Sequence, residues 1–260
     1  MKITVENLFF SYGPIPVLQD LSFSLAPENG LTVLAGANGA GKSTLLKLLC
    51  GLLKPRSGRI FLDDRELPQI SPLERARALG VMLQQQPPAL DFTVFEFVLF
   101  GRMAKLPRLS PPGKADIQAA EKALEAVRMS AFAGKKANAL SGGEFQRVCL
   151  ASALALESPC LLLDEPASAQ DPAQAAMIYS LLAELGKEKT ILAITHDLFL
   201  AENYAQKLLL FADGNILVSG PPQEVLTQEN VQKLYGIQGF SAARMSGYGF
   251  LKGSVPDTGR

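Results

Sequence analysis

The eight residues Gly36 to Ser43, GANGAGKS, follow the apolar run Leu31 to Ala35 and precede a stretch in which Leu45, Leu46, Leu48, Leu49 and Leu52 recur at helical spacing. A short buried strand, a glycine-rich turn and a helix over Lys42 to Leu53 are therefore expected in immediate succession. Gly36, Gly39 and Gly41 allow backbone angles and a close approach that a β-carbon would block, so successive N–H groups converge on one anion. Ala37, Asn38, Ala40 and Thr44 complete this cradle, Lys42 supplies a cation and Ser43 a hydroxyl suited to Mg²⁺. By itself the pattern implies a phosphate-binding loop in an α/β fold and nothing narrower.

The rest of the chain extends that unit. Ile3 to Phe10 and Leu21 to Leu25 read as strands separated by the turn residues Gly13, Pro14 and Pro16, which predicts a small antiparallel portion. Ile60 to Leu62 and Val81 to Leu83 read as further strands. Pro87-Pro88 then interrupts the pattern, and the composition is helical as far as Ser158. Cys160 to Leu163, a helix from Pro172, the strand Ile191 to Thr195, a helix from Asp197, and the segments Lys207 to Phe211 and Asn215 to Ser219 restore alternation, which requires a mostly parallel sheet. The expected division is a core of residues 1–86 and 159–236, an inserted helical part at 87–158, and a tail at 237–260 that becomes weakly ordered from Ser241.

Two further groups carry chemistry. CLLLDE, Cys160 to Glu165, puts two carboxylates at the end of an apolar strand, where doubly wound sheets bind ligands. Asp164 can organise a cation and its waters, and Glu165 can take a proton from an attacking water; taken alone, the pair can also be read, as the lesser alternative, as a strand end with a capping acid. At Leu140 to Glu144 the sequence is LSGGE, opening a long amphipathic helix. Ser141, Gly142 and Gly143 present backbone N–H groups at a helix start, an arrangement that favours an anion, while Ser141 and Glu144 also fit an ordinary capping box. One chain has its phosphate loop elsewhere. This second anion site can complete a clamp only by facing another copy.

With these motifs in this order, the sequence resembles the ATPase subunits of ABC transporters, nearly to Tyr235. LSGGE is the motif most specific to that family. The resemblance implies a P-loop NTPase core with an N-terminal antiparallel β portion and an inserted helical subdomain, ATP and Mg²⁺ as ligands, and a head-to-tail homodimer. Each ATP is then held between one chain's P-loop and the other chain's Ser141, Gly142 and Gly143. It further implies that Tyr12 stacks on adenine, that Glu165 is the catalytic base, that His196 of ITHD contacts the γ phosphate, and that Ser168 and Asp171 of SAQD belong to a loop at the dimer interface. Gln84 best matches a glutamine that ligates Mg²⁺ and senses the membrane partner, although Gln85 and Gln86 leave its register open by one or two places. A turn-packing role for Tyr12 and a structural one for His196, the chain's single histidine, stay open. Gln170 departs from the family, which usually has leucine there; Ala37 and Ala167 depart more mildly.

Asp91 to Arg102 and Leu210 to Ile237 resemble the importers of metal chelates, namely ferric siderophores, haem and cobalamin. The implied partners are two transmembrane permease subunits and, indirectly, a substrate-binding protein, with the chain peripheral on the cytoplasmic face of the cell membrane. A zinc or manganese importer differs only in cargo. A soluble ABC ATPase keeps the same site without a permease, but the second cassette or long coiled-coil insertion of such proteins is not found in the sequence. Composition agrees: 25 basic and 25 acidic side chains cancel, which argues against nucleic acid as a partner. The excess of nine basic over four acidic residues between Gly101 and Arg147 fits either solvated helix faces or an approach to an anionic leaflet. No run approaches the roughly 18 apolar residues of a membrane span, and Glu6 and Asn7 occupy the place of a secretory apolar stretch. Cys50, Cys149 and Cys160 lie in apolar runs without metal-ligand spacing and are expected as buried free thiols of a reducing compartment.

Overall fold

The computed structural model describes residues 1–83, 91–107 and 110–235. Strands β1 (Ile3–Tyr12) and β2 (Ile15–Leu25) pair antiparallel across a turn in which Gly13 has φ +59°. Both outrun the expected segments, Ile3 to Phe10 and Leu21 to Leu25. The polar residues Asn7 and Asp20 break the alternation on paper, yet they take up φ +47° and +49° where the pairing register shifts, so the ladder continues past them.

Next come β3 (Leu31–Gly36), α1 (Lys42–Leu49), β4 (Ser57–Leu62), β5 (Arg65–Glu66), α2 (Pro72–Ala78) and β6 (Leu79–Met82). α1 ends four residues before Leu53 because Gly51, at φ +73°, turns the chain and leaves Leu52 63% exposed. α2 was not expected. It buries no residue and so carries no apolar period; it forms from local signals, with Ser71 and Glu74 in a reciprocal capping box and Pro72 at the first helical position.

α3 (Val94–Phe100), α4 (Lys114–Ala126) and α5 (Gly142–Ala155) pack on one another in the expected helical stretch, and α5 also packs on β6 and on β7 (Cys160–Asp164). Arg102 ties this group together. Only 6% exposed, it donates from Nε to Asp116 Oδ1 at 3.0 Å and from Nη1 to the Ala155 carbonyl at 2.9 Å and Glu157 Oε2 at 2.5 Å. The chain closes with α6 (Pro172–Leu185), β8 (Thr190–Thr195), α7 (Leu198–Tyr204), β9 (Lys207–Ala212), β10 (Asn215–Gly220), α8 (Pro222–Val225) and α9 (Gln228–Tyr235). The tail expected at 237–260 lies outside the described residues.

Among the described residues the strands form two sheets. The first has the order β2-β1-β4-β5; the second has the order β10-β9-β3-β8-β7-β6, parallel except for β10 at its edge. The parallel strands are buried on both faces, as helices and a second sheet covering them require. Leu31, Val33, Leu161, Leu163, Ile191, Ala193, Leu208 and Leu210 face a core shared with α3, α4, α5, α6 and α7. The alternating Leu34, Leu162, Leu192, Ile194, Leu209 and Phe211 face the core under α1 and the antiparallel sheet. Cys149 and Cys160 are buried free thiols; Cys50 is only half-buried, because it caps α1 just where the chain turns outward.

Candidate nucleotide site

Parallel pairing brings strand ends together. Ala35 is level with Thr195, Asp164 with Ile194, and Met82 with Leu163, so β3, β8, β7 and β6 deliver the chain to one edge of the sheet. From that edge leave the 36–43 loop, Asp164 and Glu165, and His196. β6 ends at Met82, two residues before Gln84; Gln84, Gln85 and Gln86 lie outside the described residues.

In the loop, Gly39 has φ +81° and Gly41, at the cap of α1, has φ +102°, a region that side chains with a β-carbon rarely adopt. The first-turn amides of α1, on Lys42, Ser43 and Thr44, have no acceptor within the helix. Asn38, Gly39 and Ser43 are exposed, with Ala37, Ala40 and Thr44 half-buried around them. Lys42 is 7% exposed, and its Nζ donates to the Gly36 and Ala37 carbonyls, each at 2.8 Å. Burial lowers its pKa, while the charges of Glu165 and Asp164 oppose that shift. The ammonium therefore lies within the field of both carboxylates.

Asp164 is buried at the end of β7. Glu165 follows with φ +51°, its N–H bonded to the Ile194 carbonyl at 3.0 Å. Its Oε1 lies 2.8 Å from His196 Nδ1. A carboxylate can only accept, so this contact fixes the imidazole hydrogen on Nδ1 and turns Nε2 away from Glu165. That pairing was not foreseen from the sequence, where the two residues are 31 positions apart. Tyr12 ends β1, 49% exposed, with its ring edge-to-face against Phe10 at 4.9 Å; this leaves ring surface free and also provides the packing role.

At the start of α5, Ser141 caps the helix. Its Oγ accepts from the Glu144 N–H at 3.3 Å, and Glu144 Oε2 accepts from the Ser141 N–H at 2.8 Å. These hydrogen bonds hold the Glu144 carboxyl below the usual range. Ser168 and Asp171 are exposed, and Asp171 caps α6 by accepting from the Gln174 N–H at 2.9 Å. Residues 165–171 and the start of α5 are joined directly: Gln146 Nε2 donates to the Glu165 carbonyl at 2.7 Å and to Ser168 Oγ at 2.9 Å, and Gln146 Oε1 accepts from the Ala169 N–H at 3.0 Å. Sequence reasoning missed Gln146. Its only signal was a glutamine one turn into the helix that LSGGE opens.

A strand–loop–helix phosphate cradle, a buried lysine and two carboxylates on the next parallel strand but one define a P-loop nucleotide hydrolase. The capped helix start at Ser141, with Gly142 and Gly143 as the first residues of α5, narrows the class. The family model for the ABC transporter matches residues 18–168, and the chain belongs to that family, as an ATP-binding subunit with ATPase activity. It is 35% identical to the ferric enterobactin transport ATP-binding protein FepC of Escherichia coli, over 91% of this chain and 88% of that one. It is 40% identical to the hemin import ATP-binding protein HmuV of Pseudomonas aeruginosa, over 91% and 93%. The fold superposes with a TM-score of 0.74 on the ATP-binding cassette MJ0796, solved as a dimer in a post-hydrolysis state with ADP and Pi, at 26% identity over 85% of this chain and 98% of that one. Among the described residues, no helix is long and apolar enough to cross a membrane.

Proposed function

We propose that the chain energises import of a metal chelate, a ferric siderophore, haem or cobalamin. It would act as one of two identical ATPase subunits beneath a pair of permease subunits on the cytoplasmic face of the membrane, with a binding protein delivering the cargo. The observation that carries the cargo is the near full-length similarity to FepC and HmuV, whose names specify ferric enterobactin and hemin. Residues 1–86 and 159–236 form the nucleotide core in this reading, and 87–158 the helical part that moves with the permease. An apolar groove of about 450 Å³ runs between the end of α1, α2, β6 and α5, with Leu52, Pro72, Arg75, Gly101 and Ser152 in its walls. It touches both parts and suits a cytosolic helix of the permease.

In the nucleotide site the amides of residues 39–44 and the Lys42 ammonium bind the phosphates, and Tyr12 stacks on the adenine. Ser43, Gln84 and, through water, Asp164 are the residues that would hold Mg²⁺; the exposed hydroxyl of Ser43 and the carboxylate of Asp164 are hard oxygen donors, as that ion demands. When bound, the ion neutralises charge on the transferring phosphoryl group. Glu165 accepts the proton of the attacking water. His196, steered by Glu165 through Nδ1, offers Nε2 toward the γ phosphate. Ser141, Gly142 and Gly143 of a second copy close the site, and Ser168 and Asp171 meet that copy at the interface.

Glu165→Gln is the test of this chemistry. The variant is expected to bind ATP, to dimerise with it, and to hydrolyse almost none; normal turnover would remove Glu165 as the base. For the cargo, the chain co-purified with its permease in vesicles is expected to show ATPase stimulated by a chelate-loaded binding protein. Stimulation by free manganese or zinc with its own binding protein would overturn the chelate assignment.

A further inference from the structure

Gln170 is the residue that departs from the family's usual leucine, and its side chain reaches from the 165–171 loop to three residues of α5. Its Nε2 donates to the Gly143 carbonyl at 2.8 Å and to Gln146 Oε1 at 3.0 Å, while its Oε1 accepts from Arg147 Nη1 at 2.9 Å. The amide can point only this way. Reversed, it would set an oxygen against two acceptors and an NH₂ against a guanidinium. The two backbones are also in close approach, since a β-carbon on Gly143 would lie 2.6 Å from the Ala169 carbonyl oxygen, whereas one on Gly142 would meet nothing within 4 Å. Gln146 then carries the connection onward to the Glu165 carbonyl. A leucine of similar size would fill the space and make none of these bonds.

We propose that Gln170 is a positioning residue that fixes the head of α5 to the loop after Glu165, so that the Gly142 and Gly143 amides and the Glu165 carboxylate move as one unit. This rests on the reading in which those amides face the nucleotide of a second copy. Gln170 then prepays, within each chain, the ordering that closure of the dimer demands. Losing it leaves binding of ATP to the chain's own P-loop intact but weakens ATP-driven pairing and slows turnover.

The experiment places Gln170→Leu, and separately the shape-conserving Gln170→Met, in the Glu165→Gln background. Nucleotide affinity is measured on dilute chain with a fluorescent ATP analogue, and dimerisation by light scattering across protein concentration with ATP. Both variants are expected to keep the analogue's dissociation constant within about twofold, and to raise the concentration for half-dimerisation about tenfold, the equivalent of roughly one net hydrogen bond. In the Glu165 background, kcat is expected to fall while the melting temperature stays close to that of the parent. Methionine serves if leucine compromises folding. A parent that dimerises equally well with and without Gln170 overturns the proposal alone. A Glu165→Gln parent that fails to dimerise with ATP overturns the two-copy site and the proposal with it. A loss of analogue affinity equal to the loss of pairing assigns Gln170 to general stability and also overturns it.

Discussion

Replacing Gly143 with alanine tests whether the two glycines of LSGGE serve different ends. Its β-carbon would stand 2.6 Å from the Ala169 carbonyl oxygen, and real β-carbons essentially never come within 3.0 Å of such an atom. The head of α5 and the loop must therefore part by about 0.4 Å, and by about 0.8 Å to reach the uncrowded distance of 3.4 Å. Both partners are backbone, so no side chain can swing aside. A misplacement of ~1 Å in a catalytic constellation costs on the order of 10²-fold, so half that shift is worth about tenfold in kcat. The alanine also gains up to ~1 kcal/mol of helix propensity, so the melting temperature is a poor reporter. The better one is amide exchange at Ala169, whose N–H bonds Gln146 Oε1 at 3.0 Å and should lose protection as the surfaces part. Gly142→Ala is the control: it clashes with nothing in its own chain, so it should keep Ala169 protected even where its turnover drops. Full turnover and full Ala169 protection in Gly143→Ala would refute the argument.

Two other expectations concern the fold and its thiols. Arg102→Ala removes a buried guanidinium, strands the Ala155 carbonyl and leaves Asp116 with only the Gly113 N–H, while the Glu157 side chain, 56% exposed, can be hydrated. The loss of stability in urea unfolding is expected at the low end of the range for breaking a buried pair, about 3 kcal/mol, and a loss below ~1 kcal/mol would mean the cluster is no more than a surface ion pair. Burial pushes the Cys149 and Cys160 thiols up to about 12, and raises that of half-buried Cys50 as well. A raised pKa means less thiolate at a given pH. Native protein at pH 8 should accordingly react with a thiol reagent slowly, at Cys50 alone, with a rate still climbing above pH 9, and at all three thiols in urea; two or more fast native thiols would contradict this.

What could be read from the sequence was what lies contiguously along it. GANGAGKS, CLLLDE and LSGGE each keep their working atoms within a few residues, so strand ends and helix starts followed from local patterning. β7 and β8 were found at nearly their full lengths because burial on both faces writes an unbroken apolar run. β2 was truncated on paper because Gln19 and Asp20 interrupt its alternation, and α2 was missed because a helix that buries nothing has no period to read. The contacts among Glu165, His196, Gln146, Arg147 and Gln170 were illegible for another reason. They join segments 19 to 31 positions apart through side chains whose polarity alone names no partner. Gln170 was visible only as a departure from family habit; its hydrogen bonds give the departure a physical content.

The same contacts explain how Glu165 keeps an unfavourable backbone. A φ of +51° in a residue with a β-carbon costs on the order of 1 kcal/mol or more and persists only where the surroundings over-determine it. Here each polar group of the residue answers to a different element. The N–H is bonded to Ile194 at the end of β8, the carbonyl accepts from Gln146 on α5 and from Ser168 in its own loop, and the carboxylate accepts from His196 beyond β8. The backbone of Glu165 is thus held jointly by the sheet edge and, through Gln146, by the head of α5. The residue proposed as the base is in this way bonded to the very helix whose Gly142 and Gly143 amides are proposed to meet the nucleotide of a second copy. Under the proposed function, a shift of α5 against the sheet edge would reach Glu165 through the Gln146 bond to its carbonyl.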